Sequence, residues 1–550
     1  MSKKTFRLGE LLIQKGYITQ KHVEYALQIQ KVTQEKLGEV LTRLGIVSDY
    51  LLITAVAEQL ELPYLDLNRE KPEPSILKRF NRTTCLNQHF FPLYLKRDNL
   101  LVVTWDVPNQ KIESTCIRAV GKKPIFALAE QSKIIDFIYN YFYFLNNPVE
   151  EVVLKEAKNI ANDIVGTANP DNFINNLLLL AVQKNTTDIH IRPMEKGISF
   201  AFRIDGILQS EYFFPTQIKR VISAIKLQAG MDIAEQRLPQ DGRWRVKLLN
   251  KIYDIRCSST ITPYGENLVM RLLPQEKANL SLEQLGFFEE DVQVLKQIFK
   301  EPYGIILLTG PTGSGKSTTL VAGLTTLDLL SKNVLTVEDP IEYLVPLARQ
   351  TQVNEAAGYT FANAMRYFLR HDPDIILVGE MRDEPTARTA MTAANTGHLV
   401  LSTLHANTAI GAIPRLQNLG IDNLTIAGSL LCVVSQRLVR TICKYCREKY
   451  QPDPSELNYL GVKNVEFLIK GRGCEKCNFS GYIGRTLVYE ILVVDQEVKF
   501  LIEQGKPIYE VFQKVKQKGF QNMFDIGVKK VLAGITTTDE LKRVIGTTLI

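Results

Sequence analysis

Residues 305–320 read IILLTGPTGSGKSTTL, and this stretch decides the fold. An aliphatic strand runs into GPTGSGKS, 310–317, and a helix follows. The spacing G-x-x-x-x-G-K-S in a strand–loop–helix setting predicts a phosphate-binding P-loop. Gly310, Gly313 and Gly315 let backbone N–H groups turn inward around phosphates. Lys316 supplies a point charge to the β and γ oxygens, and Ser317 offers a hydroxyl to Mg²⁺. The helix N-terminus adds its dipole. Gly310, Pro311, Thr312, Gly313, Ser314, Gly315, Lys316, Ser317 and Thr318 are therefore the candidate site for ATP and Mg²⁺.

Such a loop needs acids at the ends of neighbouring strands. VLTVEDPIEY, 334–343, ends a strand at Glu338 and Asp339, and DPDIILVGEMRD, 372–383, ends one at Gly379 and Glu380. One acid must hold the metal and the other must orient and deprotonate the attacking water. Glu338 is assigned to the water and Glu380 to the metal, with the reverse left open. Asp339 and Asp383 are read as turn-forming. GHLVLSTLHANT, 397–408, is a further strand flanked by His398 and His405. Each alone could be an ordinary core histidine; as a pair beside a nucleotide site they are read as sensing the γ-phosphate or coupling it to motion.

Upstream, TDIHIRP (187–193), SFAFRIDGIL (199–208), RLPQDGRWRV (237–246) and YDIRCSSTITPYGENLVMRLL (253–273) alternate apolar and charged residues. That pattern predicts antiparallel strands with one wet face. Arg203, Arg243, Arg256 and Arg271 project from them. On charge pattern alone they form a solvated basic face.

The chain has 550 residues, which at about 100–200 residues per domain implies several domains. With 45% apolar and 23% charged residues it is core-forming, not disordered. The longest aliphatic run, Leu177 to Val182, has six residues, against about 20 for a membrane span. MSKKTFRLGELL lacks the apolar core of a signal peptide, so a cytoplasmic protein is expected. A net charge of +7 is mild for this length and gives no case for nucleic acid.

The N-terminus carries a repeat. Residues 7–30, RLGELLIQKGYITQKHVEYALQIQ, recur at 36–59 as KLGEVLTRLGIVSDYLLITAVAEQ, offset by 29. Gly16 is placed to stop one helix and Thr19 to cap the next. Two helical hairpins packed on each other are expected, and on periodicity alone this is a duplicated adaptor. The copies also resemble the tandem motif of a cyclic di-GMP-binding N-terminal domain found in some secretion and pilus ATPases. The matching positions are Arg7, Leu8, Gly9, Gly16, Leu27 and Gln30, then Leu37, Gly38, Gly45, Val56 and Gln59. Lys36 stands where that motif has Arg, and Tyr17 and Thr42 replace aliphatics. Lysine keeps the charge but lacks the planar fork that stacks on guanine. After the repeats, PLYLKRDNLLVV suggests a hairpin turned at Arg97–Asn99.

GPTGSGKST, LTVEDPIE, DPDIILVGEMRD and GHLVLSTLHAN, in this order and preceded by RIDG, RLPQDGR, DIRCS and GENLVMR, resemble the type II secretion and type IV pilus assembly ATPases over roughly 170–490. The resemblance implies a RecA-like α/β motor domain preceded by a smaller α/β domain, in a homohexameric ring. It implies that Arg256 and Arg271 reach bound phosphates as arginine fingers. It further implies an inner-membrane platform protein and cytoplasmic assembly proteins as partners, through which the chain sits at the cytoplasmic face of the inner membrane. Arg192 replaces the family's usual Glu, and Ala406 its Thr. A type II secretion ATPase shares these motifs, and a nucleic-acid translocase on the same core is the more distant alternative; no stable nucleic-acid partner is expected.

Cys443-x2-Cys446 and Cys474-x2-Cys477 are 27 residues apart. Two such knuckles can close a tetrahedron of thiolates around structural Zn²⁺. A thioredoxin-like redox pair is the other reading, but it lacks its βαβ setting. A tetracysteine insertion resembles the assembly motors and not the retraction motors. Cys85, Cys116, Cys257 and Cys432 are read as packing residues. The expected plan is a regulatory domain at 1–145, a linker at 146–170, an arginine-bearing α/β domain at 171–275, a RecA-like domain at 276–436, a zinc subdomain at 437–485 and a helical remainder at 486–550.

Overall fold

The computed structural model describes residues 7–163, 168–277 and 281–546. The chain forms two compact units, one joining Met1–Arg69 to Lys277–Ile550, the other Glu70–Glu276.

The repeats fold as expected: α1 (Leu8–Gln14), α2 (Gln20–Thr33), α3 (Leu37–Arg43) and α4 (Asp49–Leu60) make two hairpins. Gly16 and Gly45 turn each hairpin at φ +70° and +69°, a left-handed conformation that glycine adopts without strain. Thr19 and Ser48 cap the second helices. The pairing is reciprocal. A side chain at Gly9 would press on Val23 and Leu37, and one at Gly38 on Leu52 and Leu8. Each glycine thus admits the leucine of the other copy, which explains the repeated Leu-Gly.

The repeats also contact the motor half of their unit. His22 accepts the Thr19 N–H at Nδ1, 3.1 Å away, and its Nε2 meets Asp328 Oδ1 at 2.7 Å. Gly45 lies against Pro346. The expected 1–145 domain is therefore divided: its repeats belong with the motor, and the break falls after Arg69. Leu67 is buried, and Asn68 approaches Gly484.

In Glu70–Glu276, strands β1 (Phe90–Lys96), β2 (Asn99–Thr104) and β3 (Pro124–Leu128) form a small sheet. The β1–β2 hairpin turns at Arg97, φ +56°. The stretch expected as a linker instead contains a helix, α5 (Val149–Asn162). Its Val149, Val153, Ala157 and Ile160 are buried in one core with α6 (Pro170–Gln183). A stripe at helical spacing removes apolar surface from water, which a free linker cannot do. Residues 164–167 of that stretch lie outside the described residues. Strands β4 (Thr186–Met194), β5 (Gly197–Ile204), β6 (Ile207–Phe214), β7 (Gln240–Leu248), β8 (Lys251–Thr262) and β9 (Gly265–Pro274) form an antiparallel sheet in the order β6-β5-β4-β9-β8-β7.

The motor sheet holds β10 (Gly304–Thr309), β11 (Val334–Glu338), β12 (Arg349–Gln352), β13 (Ile375–Val378), β14 (Leu399–Leu404), β15 (Leu430–Ile442) and β16 (Tyr482–Val493), in the order β12-β11-β13-β14-β10-β15-β16. All neighbours are parallel except β15 and β16. Strands β10, β11, β13 and β14 are buried throughout, as both faces of a parallel sheet require. Their carboxyl ends share one edge, where ligands of such sheets bind. Among the described residues, no helix is long and apolar enough to cross a membrane.

Candidate active site

The loop after β10 leads into helix α7 (Lys316–Leu324). Gly310 has φ +136°, and a side chain there would strike the Gln436 carbonyl 2.4 Å away. Gln436, on β15 and wholly buried, donates from Nε2 to Ser314 O at 2.8 Å. Its Oε1 accepts from Thr319 Oγ1 at 3.0 Å. One amide thus fixes both the loop and the first turn of α7. Lys316 Nζ donates to Gly310 O and Pro311 O at 2.9 and 3.0 Å. Burial lowers its pKa, opposed by the charges of Glu380 and Glu342. Those carboxylates therefore face the P-loop lysine. Ser317 is half-buried at the helix start, and the neighbouring Thr318 Oγ1 shares a 3.0 Å hydrogen bond with Tyr343 OH.

Glu338 ends β11 and is only 8% exposed. Burial raises its pKa, opposed by hydrogen bonds to its Oε1 from Thr336 Oγ1 at 2.7 Å and Gln350 Nε2 at 2.9 Å. A buried carboxyl with a raised pKa is suited to accept a proton from water. Glu380, just beyond β13, has a different setting: it pairs with Arg382 and with His405, whose Nε2 lies 3.2 Å from Oε2. Each of its two oxygens thus has a basic side chain as its partner. Asp383 caps the helix Glu384–Asn395 by accepting from Thr386 N, a structural role. Asp339 is exposed.

The two histidines do not act as a pair. His405 follows β14 at its carboxyl end beside Glu380, whereas His398 precedes the same strand. Parallel register sets Leu399 against Gly304, so His398 lies at the edge remote from the P-loop. Six residues at about 3.3 Å each put roughly 20 Å between the ends. His398 Nδ1 instead meets Ala393 O at 2.9 Å. A role for His398 in sensing phosphate is therefore corrected.

In Glu70–Glu276, strand register makes one row of Arg243, Arg256, Arg271, Asp188 and Arg203. Arg271 Nε donates to Asp188 Oδ1 at 2.8 Å, and Arg203 lies 3.6 Å from Oδ2 of the same carboxylate. Arg256 Nε is buried without a hydrogen-bond partner. Like charges directly opposite one another on a sheet are destabilising. Four guanidiniums in one row, with a single carboxylate that pairs with only two of them, thus make a face suited to an anion.

The four sulfurs of Cys443, Cys446, Cys474 and Cys477 all lie within 4.8 Å of one another. Cys443–Cys474 and Cys446–Cys477 are 3.9 Å apart, and Cys474–Cys477 3.7 Å. A tetrahedron with metal–sulfur bonds of about 2.3 Å has edges of about 3.8 Å. Cys477 is held at a pKa of about 7: burial raises it, and the Cys474 and Gly481 N–H groups that donate to its sulfur outweigh this. The knuckles hang from the ends of β15 and β16, where Ile442 pairs with Tyr482. The strands Arg447–Tyr450 and Leu468–Gly471 fill the gap between them. Cys85, Cys116, Cys257 and Cys432 are buried.

On the repeats, Arg7 and Lys36 are exposed at the starts of α1 and α3, and Leu27 is 40% exposed on α2. Leu8, Leu37 and Val56 are half-buried. Gln30 donates to Glu35 O at 2.8 Å in the spacer, and Gln59 closes the second copy.

Sequence reasoning missed Gln436, Gln350, Glu342, Asp188 and Glu490. Glu490 is buried on β16 and accepts from Ala409 N, beyond His405, and from Met523 N, at the start of α8 (Met523–Leu532). Its signal was a lone acid in the aliphatic run VYEILV; Gln436 stands out likewise in LLCVVSQRLV.

A family model described as type II/IV secretion system protein matches residues 165–543. An MshEN domain model matches 60–144, just beyond the repeats. Type IV pilus assembly ATPase PilB of Thermus thermophilus is 38% identical, over 97% of this chain and 65% of that protein. PilB of Myxococcus xanthus is 33% identical over 97% of this chain and 98% of its own length. Type II secretion system protein E of Dickeya dadantii is 45% identical over 68% of this chain and 75% of that protein.

Proposed function

The chain belongs to the type II/IV secretion system ATPase family and carries an MshEN domain, and from that premise we propose that it is a Mg²⁺-dependent motor for type IV pilus assembly. The observation that carries the chemistry is the convergence of Lys316, Glu338 and Glu380 at one edge of the motor sheet. The P-loop N–H groups and Lys316 hold the phosphates. Ser317 and Glu380 would hold Mg²⁺, which would supply charge neutralisation to the phosphoryl group. Glu338 takes the proton of the attacking water, and His405 reads the state of Glu380. Arg256 and Arg271 reach the phosphates from a neighbouring subunit of a homohexamer, and the unpartnered Arg256 Nε supports this. The four thiolates hold Zn²⁺ in a structural role, with no position open for catalysis.

The pilus reading is supported by the extent of likeness: the pilus relatives match almost the whole chain, N-terminal part included. The type II secretion reading is favoured by the higher identity in the motor part. On either reading the motor acts through a platform protein at the cytoplasmic face of the inner membrane. In cells whose only copy carries Glu338→Gln, surface pili should vanish and protein export persist. Loss of export with pili intact would assign the chain to secretion.

We infer also that the repeats bind cyclic di-GMP through Arg7, Leu8, Gly9, Leu27 and Gln30 and through Lys36, Leu37, Gly38, Val56 and Gln59. Exposed cations beside half-buried leucines suit a ligand with phosphates and flat bases. Calorimetric titration of the full chain should show saturable binding that Arg7→Ala removes. No binding to the wild type would reduce the repeats to a docking element.

A further inference from the structure

We propose that Gln350 is a positioning residue for hydrolysis, clamping Glu338 so that one of its two oxygens is aimed at the attacking water. The proposal rests on the reading of Glu338 as the group that activates water. Gln350 lies on β12, and three hydrogen bonds use both ends of its amide. Nε2 donates to Glu338 Oε1 and to Tyr343 O, each at 2.9 Å, while Oε1 accepts from Val345 N at 2.8 Å. Thr336 adds a second donor to the same Glu338 oxygen at 2.7 Å. Both donors fall on Oε1, so Oε2 is left to receive the proton. An amide held on both sides cannot rotate, which fixes the carboxylate plane as well as its position.

The clamp also reaches the P-loop helix. Tyr343, whose carbonyl Gln350 holds, shares its hydroxyl with Thr318, next to Ser317. Gln350 therefore ties the water-activating carboxylate to the segment contacting the phosphate-binding helix. Register strengthens the case. Thr336 pairs with Gln350, placing both donors on one strand pair behind Glu338. Thr351 Oγ1 in turn donates to Thr336 O, and Tyr359 OH to Thr351 Oγ1.

A donor to the charged form of a carboxyl lowers its pKa. Glu338 is active deprotonated, so turnover is lost as pH falls through its pKa, already raised by burial and by the charge of Glu342. Removing Gln350 raises it further and moves the acid limb of kcat to higher pH. The test compares kcat–pH profiles of the full chain, wild type against Gln350→Ala, Gln350→Glu and Thr336→Val. Gln350→Ala is expected to shift the acid limb up by about one pH unit, and Gln350→Glu by more. Thr336→Val, which keeps the shape and loses only the other donor, should shift it in the same direction, so the clamp remains testable if a Gln350 variant fails to fold. Nucleotide affinity should stay within about twofold. An unmoved acid limb in variants that fold and bind ATP would overturn the proposal. Glu338→Gln separates the two readings: if it retains turnover, the assignment of the base fails; if it is inactive and the limbs still do not move, only the clamp fails.

Discussion

Lys316→Ala is expected to lower ATP turnover by about a hundredfold to a thousandfold, the range for removing one preorganised group that stabilises transition-state charge. The side chain is held between Gly310 O and Pro311 O and faces Glu342 and Glu380. No other lysine belongs to the loop to replace it. The backbone cradle survives the change, because Gln436 holds Ser314 and Thr319 independently of Lys316. The variant should therefore fold, and its loss should appear in kcat measured at saturating Mg²⁺ and ATP. Turnover within a fewfold of wild type would remove the phosphate assignment.

Cys443→Ser is expected to have the second large effect, on folding and not on chemistry. The small core of the knuckle region consists of Cys443, Cys446, Cys477 and Ile483, with Tyr445 and Cys474 packed against it. Apart from the cysteines, it offers almost no apolar surface to bury. Structural zinc in comparable peptides contributes apparent free energies of about 10–16 kcal/mol. With the tetrahedron broken, the knuckles at 443–446 and 474–481 should become protease-sensitive and the protein should lose its metal. Elemental analysis should find one zinc per wild-type chain and none in the variant. A wild-type protein that folds fully without zinc would contradict the assignment, whatever the behaviour of the serine variant.

Much of the motor was legible because its signals are local. A P-loop carries glycines, lysine and serine within eight residues, and strands buried on both faces read as aliphatic runs ending in Glu338 and Glu380. The repeats were legible because each copy confirms the other. What failed depended on long-range register. His398 and His405 look equivalent beside one strand, and only the parallel pairing with β10 shows which end meets the phosphates. Asp188 could not be placed among the arginines without the pairing of five strands. Gln350 sits in the polar stretch RQTQ, where nothing distinguishes it from its neighbours. The helix at 149–162 was different: its spacing of Val149, Val153, Ala157 and Ile160 is present in the sequence, set among charged residues that make the stretch look featureless.

The central claim is that the phosphate site in one subunit is completed by arginines carried on another. Mixed rings test it most directly. Lys316→Ala and Arg256→Ala chains, each nearly inactive alone, should regain part of the wild-type ATP turnover when co-assembled. Some P-loops with an intact lysine would then face an intact Arg256. Turnover no greater than the sum of the two separate variants would contradict an arginine acting between subunits.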